Sequence, residues 1–345
     1  MKEEGWEIKV LSKIAAMFKI GGIRLIAARL SDRLRGTKKT PEVFEDICRK
    51  APVKKYPKIL ENYYFISTGK TLNLSNPQTL TQKIQWLKIY DTTEAKSELT
   101  DKYLVRKWVE DVIGKDYLIP LIGAYDSPDE INFNELPTSF VIKENHGSGM
   151  NIIVKNKSEL DIEECKKRLQ AWLTTDFSFK CGFELQYRDI KPKIIIEKYI
   201  SPLEGQSDIT DYKFYCFNGK PTYCQVITNR SEHECIDFYD MDWNHMPFTG
   251  MTKNAKNSPQ PIKRPTSFDE MKRLAEIMSK EFYFVRVDLY DAGGKVLFGE
   301  MTFTPNAGLG YFYPEEWDFK LGKMLNLPID TKSLTGTNDR EKQKK

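Results

Sequence analysis

Histidine is scarce in this 345-residue chain, which has only His146, His233 and His245. No HExxH, HxxxH or GxSxG stretch occurs, so neither a zinc hydrolase nor a serine-type hydrolase has support. The six cysteines, Cys48, Cys165, Cys181, Cys216, Cys224 and Cys235, stand without a CxxC or a framework spacing. That excludes a cysteine-rich metal module and fits reduced, buried thiols. No window reaches the eighteen or so uncharged apolar residues that a spanning helix needs. Charge of one sign is not in excess either: 53 basic against 49 acidic residues give +4. With no basic stripe and no aromatic–basic interleaving, a nucleic-acid partner is not expected. No glycine loop ends in GKS or GKT, which excludes a Walker A site, and no repeat of solenoid length is present. The opening MKEEGWEIKV places charges where a secretory signal carries its apolar core, so a cytoplasmic location is expected.

What the chain does have is a charged hairpin set among apolar residues, FYFVRVDLYDAGGKVLFGEMTFTPNAGL over 282–309. Strand alternation puts Val285, Val287 and Leu289 on one face and Arg286 and Asp288 on the other. In the second strand Leu297, Met301 and Phe303 share a face, with Glu300 and Thr302 opposite. A loop with an odd number of residues would set Asp288 across from Glu300 and Arg286 across from Thr302; a two-residue Gly-Gly turn would flip Glu300 to the wrong side. The odd loop is the expectation. Two facing carboxylates repel unless a cation lies between them, and hard oxygen ligands suit Mg²⁺. The bland alternative is a surface hairpin with a polar outer face.

Along the rest of the chain, residues 8–35 mix apolar residues with lysine and arginine at helical spacing, and Asp32 is their one acidic residue. Two short amphipathic helices broken at Gly21-Gly22 are expected, either as a layer on the protein body or as a peripheral contact with the inner face of a membrane. Residues 41–125 read as mainly helical, with a helix start at Ser75-Asn76-Pro77. At Ser139 the period changes to that of strands, and FVIKENHGSGMNIIVKN reads as strand, glycine loop, strand. Glycines allow backbone amides to approach phosphate oxygens, and Lys143 beside them supplies a charge. A helix over 158–175 with a capping start at Ser158, a buried strand Ile194–Ile196, a hairpin turning at Asn218-Gly219 and a helix over 267–281 follow. That hairpin contributes Asp211, Lys213 and Arg230.

The order of these parts resembles the ATP-grasp superfamily. FVIKENHGSGMN, DYKFYCFNGKP and RVDLYDAGGKVLFGEMTFTPNAG look like its teichuronopeptide-biosynthesis (TupA-like) branch, known from capsule and surface-polysaccharide loci. The resemblance implies an α+β ATP-grasp fold, in which two α+β subdomains clasp ATP, preceded by a mainly helical N-terminal region. The expected divisions are 1–60 amphipathic helices, 61–125 a helical lead-in, 126–200 the small subdomain with the glycine hairpin, 201–330 the subdomain with the metal site, and 331–345 a disordered tail. It further implies that Lys143 binds the α- and β-phosphates and that Gly147, Ser148 and Gly149 close over them. Glu197 and Tyr199 would bracket adenine, with Lys198 beside it, and Glu204 or Asp208 would hold the ribose. Lys213 would reach the γ-phosphate, Arg286 would stabilise the transferring phosphoryl group, and Asp288 and Glu300 would hold Mg²⁺, with Mn²⁺ as an alternative. Lys102 matches an earlier lysine of the pattern. Thr302 stands where the superfamily usually has asparagine, so Thr302 itself or Asn306 would complete the metal's oxygen set.

The activity implied is an ATP-dependent carboxylate–amine ligase working through an acyl phosphate. Its partners would be ATP, a uronic-acid-containing glycan or lipid-linked precursor, and an amino acid or other amine. The competing readings are a sugar or glycan kinase and a nucleotide-binding protein associated with glycosyltransferases. Asp240-Met241-Asp242 has the letters of a DxD sugar-nucleotide site but no supporting context.

Overall fold

The computed structural model of the protein describes residues 2–204, 208–228, 234–252 and 255–329, with side chains from Val10 onward. Arg230, His233 and the tail from residue 330 lie outside them.

Six helices come first: α1 (Lys2–Arg35), α2 (Lys39–Lys50), α3 (Tyr56–Thr68), α4 (Leu80–Tyr90), α5 (Glu94–Thr100) and α6 (Val105–Val112). Helix α1 is two helices across a kink, because Gly21 and Gly22 leave helical geometry and Gly22 takes φ 58°. Helix α4 does not begin at Ser75-Asn76. Thr79 is its cap, accepting the Gln82 amide at 3.2 Å, while the Asn73 carboxamide ties up the amides of Ser75 and Asn76.

The strands are β1 (Leu121–Tyr125), β2 (Phe140–Glu144), β3 (Asn151–Val154), β4 (Ile194–Lys198), β5 (Asp211–Phe217), β6 (Lys220–Thr228), β7 (Cys235–Asp240), β8 (Thr249–Gly250), β9 (Phe284–Asp291), β10 (Val296–Thr302) and β11 (Phe312–Tyr313). They form an antiparallel sheet in the order β1-β4-β2-β3, a second in the order β10-β9-β5-β6-β7, and a small pair, β11-β8. Residues 121–125, expected within a helical stretch, are therefore the edge strand of the first sheet. Helix α7 (Ile162–Leu173) follows β3, capped by Asp161 accepting the Glu164 amide at 2.9 Å; Ser158 precedes the helix in a separate 3₁₀ turn.

Each sheet buries one face under a helix. Cys165 and Leu169 of α7 pack on Phe140, Ile142, Ile194 and Ile196. Helix α8 (Phe268–Ser279) sets Phe268, Met271, Leu274, Ala275 and Met278 against Phe214, Cys216, Val226, Val285 and Val287. Large side chains buried this completely contribute about 1.5–3 kcal/mol each. The other face of the second sheet is divided: Phe217, Tyr223, Phe238 and Phe284 pack into the core shared with α3, α4 and α9 (Glu316–Met324), and Asp211, Lys213, Arg286 and Asp288 line the cleft against the first sheet. Helix α9 closes the far side against α4, where buried Asp318 accepts the Thr81 amide at 2.9 Å and its hydroxyl at 2.6 Å.

The β9–β10 hairpin has the expected pairing, Glu300 opposite Asp288 and Thr302 opposite Arg286, but not by the expected route. Asp291 pairs with Val296, so the loop Ala292–Lys295 has an even number of residues, and a bulge between Phe298 and Glu300 shifts the register back. The bulge also corrects the face assignment. Val296 and Phe298 join Met301 and Phe303 in the core under α8, and Leu297, also buried, is not part of that cluster. Gly299 is the inserted residue, and a Cβ there would lie 2.9 Å from the Asp288 carbonyl oxygen. Gly299→Ala is expected to push the two strands apart at the Asp288–Glu300 pair and to lower stability by about 1–3 kcal/mol, measured by urea unfolding. Unchanged stability would mean that the strand relaxes around the methyl group.

Candidate active site

A cleft of about 590 Å³ separates the inner faces of the two sheets. From the first sheet come Lys143, Ile195, Glu197 and the glycine loop 147–149; from the second come Asp211, Lys213, Gln225, Arg286, Asp288, Tyr290, Glu300 and Thr302. Strand pairing arranges the second set in rows. Glu300 sits opposite Asp288, Asp288 opposite Lys213, and Lys213 opposite Gln225, a straight line across four strands. A neighbouring row runs from Thr302 through Arg286 to Tyr215.

The charges in these rows hold one another. Arg286 donates to both oxygens of Asp288, from Nε and from Nη2, at 2.7 Å each, and Lys213 Nζ donates to Asp288 Oδ2 at 2.6 Å. Arg286 Nη2 also reaches Glu300 Oε1 at 3.3 Å and the Thr302 hydroxyl at 3.2 Å, and that hydroxyl donates to Glu300 at 2.9 Å. Burial works against the Glu300 charge, but Lys102, Arg286, Lys213 and the Thr302 hydroxyl outweigh it and hold the carboxyl down at about 2. Burial likewise disfavours the charge on Arg286, and Asp288 overcompensates, so the guanidinium stays charged.

Across the cleft, the Glu197 carboxylate lies between two cations, accepting from Lys143 Nζ and from Arg106 Nη1 at 2.7 Å each. Lys102 anchors the glycine loop by donating to the Gly147 carbonyl. Burial lowers its pKa, opposed by the charge of Glu300. Gly147 admits no side chain, since a Cβ would lie 2.2 Å from Met150 Cε and 2.8 Å from the Phe177 ring, and Gly149 takes φ 74°. On the far side of β2, Glu144 is fully buried and neither of its oxygens has a hydrogen-bond partner among the described residues. Burial pushes its pKa up to about 8, with Lys102 pulling the other way. His146, whose Nδ1 lies 3.7 Å from Glu144 Oε2, has its pKa lowered by burial, and its Nε2 pairs with the Thr175 carbonyl at 3.1 Å.

A third wall was not foreseen. Cys181, Glu184 and Tyr187 line the cleft together with Thr304, Asn306 and Ala307. Buried Glu184 accepts the Thr304 hydroxyl at 2.6 Å. Asn306 and Ala307 both adopt left-handed backbone, φ 50° and 53°, and helix α4 pins them: Lys88 Nζ donates to Ala307 O at 3.1 Å, and Gln85 Nε2 to Ala307 O at 2.8 Å and Gly308 O at 2.7 Å. The Asn306 side-chain amide donates to the Met251 carbonyl.

Of the residues marked from sequence, Lys102, Lys143, Gly147, Ser148, Gly149, Glu197, Lys213, Arg286, Asp288, Glu300, Thr302 and Asn306 line this one cleft. Lys198, Tyr199, Glu204 and Asp208 do not. The Lys198 side chain is exposed and its amide donates to Pro120 O at 3.0 Å; Glu204 is exposed and Asp208 half-buried. Arg106, Glu184, Tyr187 and Gln225 were missed. Arg106 looks like any exposed base on a helix until the fold sets it beside Glu197. The Asp240 carboxylate, from the DxD-like letters, is consumed by its own turn, accepting the amides of Asp242 at 2.9 Å and Asn244 at 2.8 Å.

The donor set for a divalent cation is two carboxylates and a hydroxyl on adjacent strands, Asp288, Glu300 and Thr302. No group of three or more histidine, cysteine or acidic side chains is placed to hold a metal among the described residues. That set fits Mg²⁺, which takes one or two carboxylates and completes its shell with water and substrate phosphates, and it does not fit zinc.

The solved D-alanine–D-alanine ligase of Bacillus anthracis complexed with ATP is similar at 17% identity and a TM-score of 0.34, over 59% of this chain and 54% of that one. A second structure of that ligase gives 18% and 0.36 over 68% and 66%, and the Helicobacter pylori ligase 15% and 0.38 over 71% and 69%. The match thus spans between half and two thirds of the length of the Bacillus anthracis structures, and scores this low carry no argument about this chain. Among curated proteins no match was found. The sequence pattern of the TupA-like ATPgrasp family, however, matches residues 82–326, well over half of the chain and all of both large sheets. The chain therefore belongs to the TupA-like ATP-grasp family, and its two facing sheets are the ATP-grasp fold.

Proposed function

We propose that the protein is an ATP-dependent ligase that joins an amine to a carboxylate, the carboxylate being a hexuronic acid of a bacterial capsular or surface polysaccharide or of its lipid-linked precursor. The observation that carries the reading is the cross-sheet row of Lys213, Asp288 and Glu300 with Arg286 beside it, facing Lys143, Lys102 and a glycine loop over one cleft. Phosphoryl transfer needs positioning and fixed positive charge more than covalent help from the protein.

Ile195, Ile227 and Ile236 give the cleft an apolar lining that suits a purine. Lys143, Lys102 and the 147–149 loop bind the phosphates, and Lys213 and Arg286 meet the group in transfer. The γ-phosphoryl passes from ATP to the substrate carboxylate and leaves ADP; the amine then attacks the acyl carbon, phosphate leaves, and the amine gives up its proton. Asp288, Glu300 and Thr302 would hold Mg²⁺, which screens the triphosphate charge when bound. The glycine loop excludes water from the acyl phosphate. Glu184, Tyr187 and Thr304 form the wall left over for the carboxylate and amine substrates.

The test is nucleotide turnover with Mg²⁺ across a panel of uronic acids and amino acids, with ADP and AMP separated. ADP and phosphate formed only with both substrates present, and an acyl phosphate trapped by hydroxylamine, is the expected result. A phosphorylated sugar would replace the ligase with a kinase, AMP would mean adenylation, and failure to bind ATP would end the reading.

A further inference from the structure

The kinked helix α1 has two sides with different fates. Met17, Ile20 and Leu25 turn into the core shared with α2 and α3. The opposite side carries Leu11, Ile14 and Phe18 before the kink and Ile23, Leu30 and Leu34 after it, all between 42% and 80% exposed. Their spacing, i, i+3, i+7 and then i, i+7, i+11, makes each set a continuous apolar row along one helix face. Ala15 and Ala27 fill gaps in the two rows and are also exposed. Six large apolar side chains left in water on one element are not the ordinary scatter of surface leucines.

The borders of the second row are basic. Exposed Arg35 lies on one flank, beside Arg24, which pairs with Asp46 of α2 at 2.8 Å, and exposed Arg29 and Arg33 lie on the other. The one acidic residue of 8–35, Asp32, is turned away to cap the next helix, accepting the Thr37 hydroxyl at 2.6 Å and the amides of Lys39 at 2.7 Å and Thr40 at 2.9 Å. It does not offset the arginines. No helix among the described residues is long and apolar enough to cross a membrane. An apolar stripe bordered by arginines on a helix that cannot span is the pattern of an element lying in a lipid interface, with its apolar side chains among the acyl chains and its guanidinium groups at phosphate level. A second copy of the chain is a poorer occupant, because a self-complementary contact would press Arg29, Arg33 and Arg35 of both copies together without a matching acidic patch.

We propose that the outer face of α1 docks on an anionic lipid surface, seating Leu11, Ile14, Phe18, Ile23, Leu30 and Leu34 in the interface with Arg29 and Arg33 on lipid phosphates. None of these α1 residues lines the cleft, and the docking does not depend on which reaction the cleft performs.

The experiment is flotation of the full chain with phosphatidylcholine vesicles with and without phosphatidylglycerol, at low and high salt. Co-flotation with the anionic vesicles, weakened by salt, is the expected result. Phe18→Ser with Leu30→Ser, and separately Arg29→Glu with Arg33→Glu, should each lower it by more than about tenfold while the melting transition and ATP turnover in solution are unchanged. Absence of binding to either vesicle, or undiminished binding by both variants, overturns the proposal. So does a concentration-dependent dimer in sedimentation that the same substitutions dissolve, since the face would then belong to a second copy.

Discussion

Asp288→Asn is expected to abolish ATP turnover, by at least about a thousandfold, and to destabilise the fold by about 3–5 kcal/mol. Asp288 is buried and receives three charge-assisted hydrogen bonds, two from Arg286 and one from Lys213. Asparagine keeps the shape and removes the charge, which leaves two cations facing each other with half-buried Glu300 and, at 3.7 Å from Lys213, Asp211 to answer them. Removing one member of a buried ionic cluster costs far more than the cluster itself contributes, because the remaining charge stays desolvated. Glu300→Gln separates this structural effect from the chemical one. Its carboxylate sits at the longer distance of 3.3 Å from Arg286 and is more open to solvent. Turnover should fall as far as in Asp288→Asn, while stability in urea changes by no more than about 1 kcal/mol. Full activity in Glu300→Gln would remove the metal assignment, and an unchanged stability in Asp288→Asn would show that the cluster is not balanced as its geometry suggests.

The second large effect is expected at Glu144, which lies on the far side of β2 from the cleft and does not line it. In the unfolded chain this carboxyl ionises near 4.5; in the fold, burial with no hydrogen-bond partner among the described residues raises it to about 8. Between those values the unfolded state releases a proton that the folded state keeps, so stability falls as pH rises, by about 1.4 kcal/mol per unit, and levels off above the folded value. Glutamine cannot ionise and should abolish that slope. The stability of Glu144→Gln relative to the parent should therefore rise by about 3–4 kcal/mol between about pH 5 and about pH 8. Taking the difference also removes the contribution of neighbouring His146, common to both proteins. Parallel pH profiles in urea would show that Glu144 is ionised in the fold. The neutral carboxyl has a consequence for the cleft, since it leaves the charge of Lys102 to Glu300 and to whatever anion enters under the glycine loop.

Local patterns along the chain determined a good deal by themselves. Strand alternation put Arg286, Asp288 and Glu300 on one polar face, because side chains alternate along a strand wherever one face is buried. The Asn218-Gly219 turn, with φ 49° and 79°, and the kink at Gly21-Gly22 follow from which residues tolerate left-handed backbone. Edges of elements were less legible. The register of the last hairpin depends on a bulge at Gly299, and nothing in the alternation distinguishes a bulge from a longer loop, so the right pairing was reached through the wrong count.

The cleft was decided by the tertiary structure. Arg106 meets Glu197 from 91 residues away and Lys102 meets Gly147 from 45, and periodicity is blind to such distances. The same limit explains why Lys198, Tyr199, Glu204 and Asp208 fall outside the cleft, and why Glu184, which reads as one more acidic residue in an irregular stretch, lies inside it. A side chain's face is set by its nearest neighbours in the chain. What that face meets is set by how the sheets and helices pack, where burial of the apolar faces under α7 and α8 turns the two polar faces toward each other.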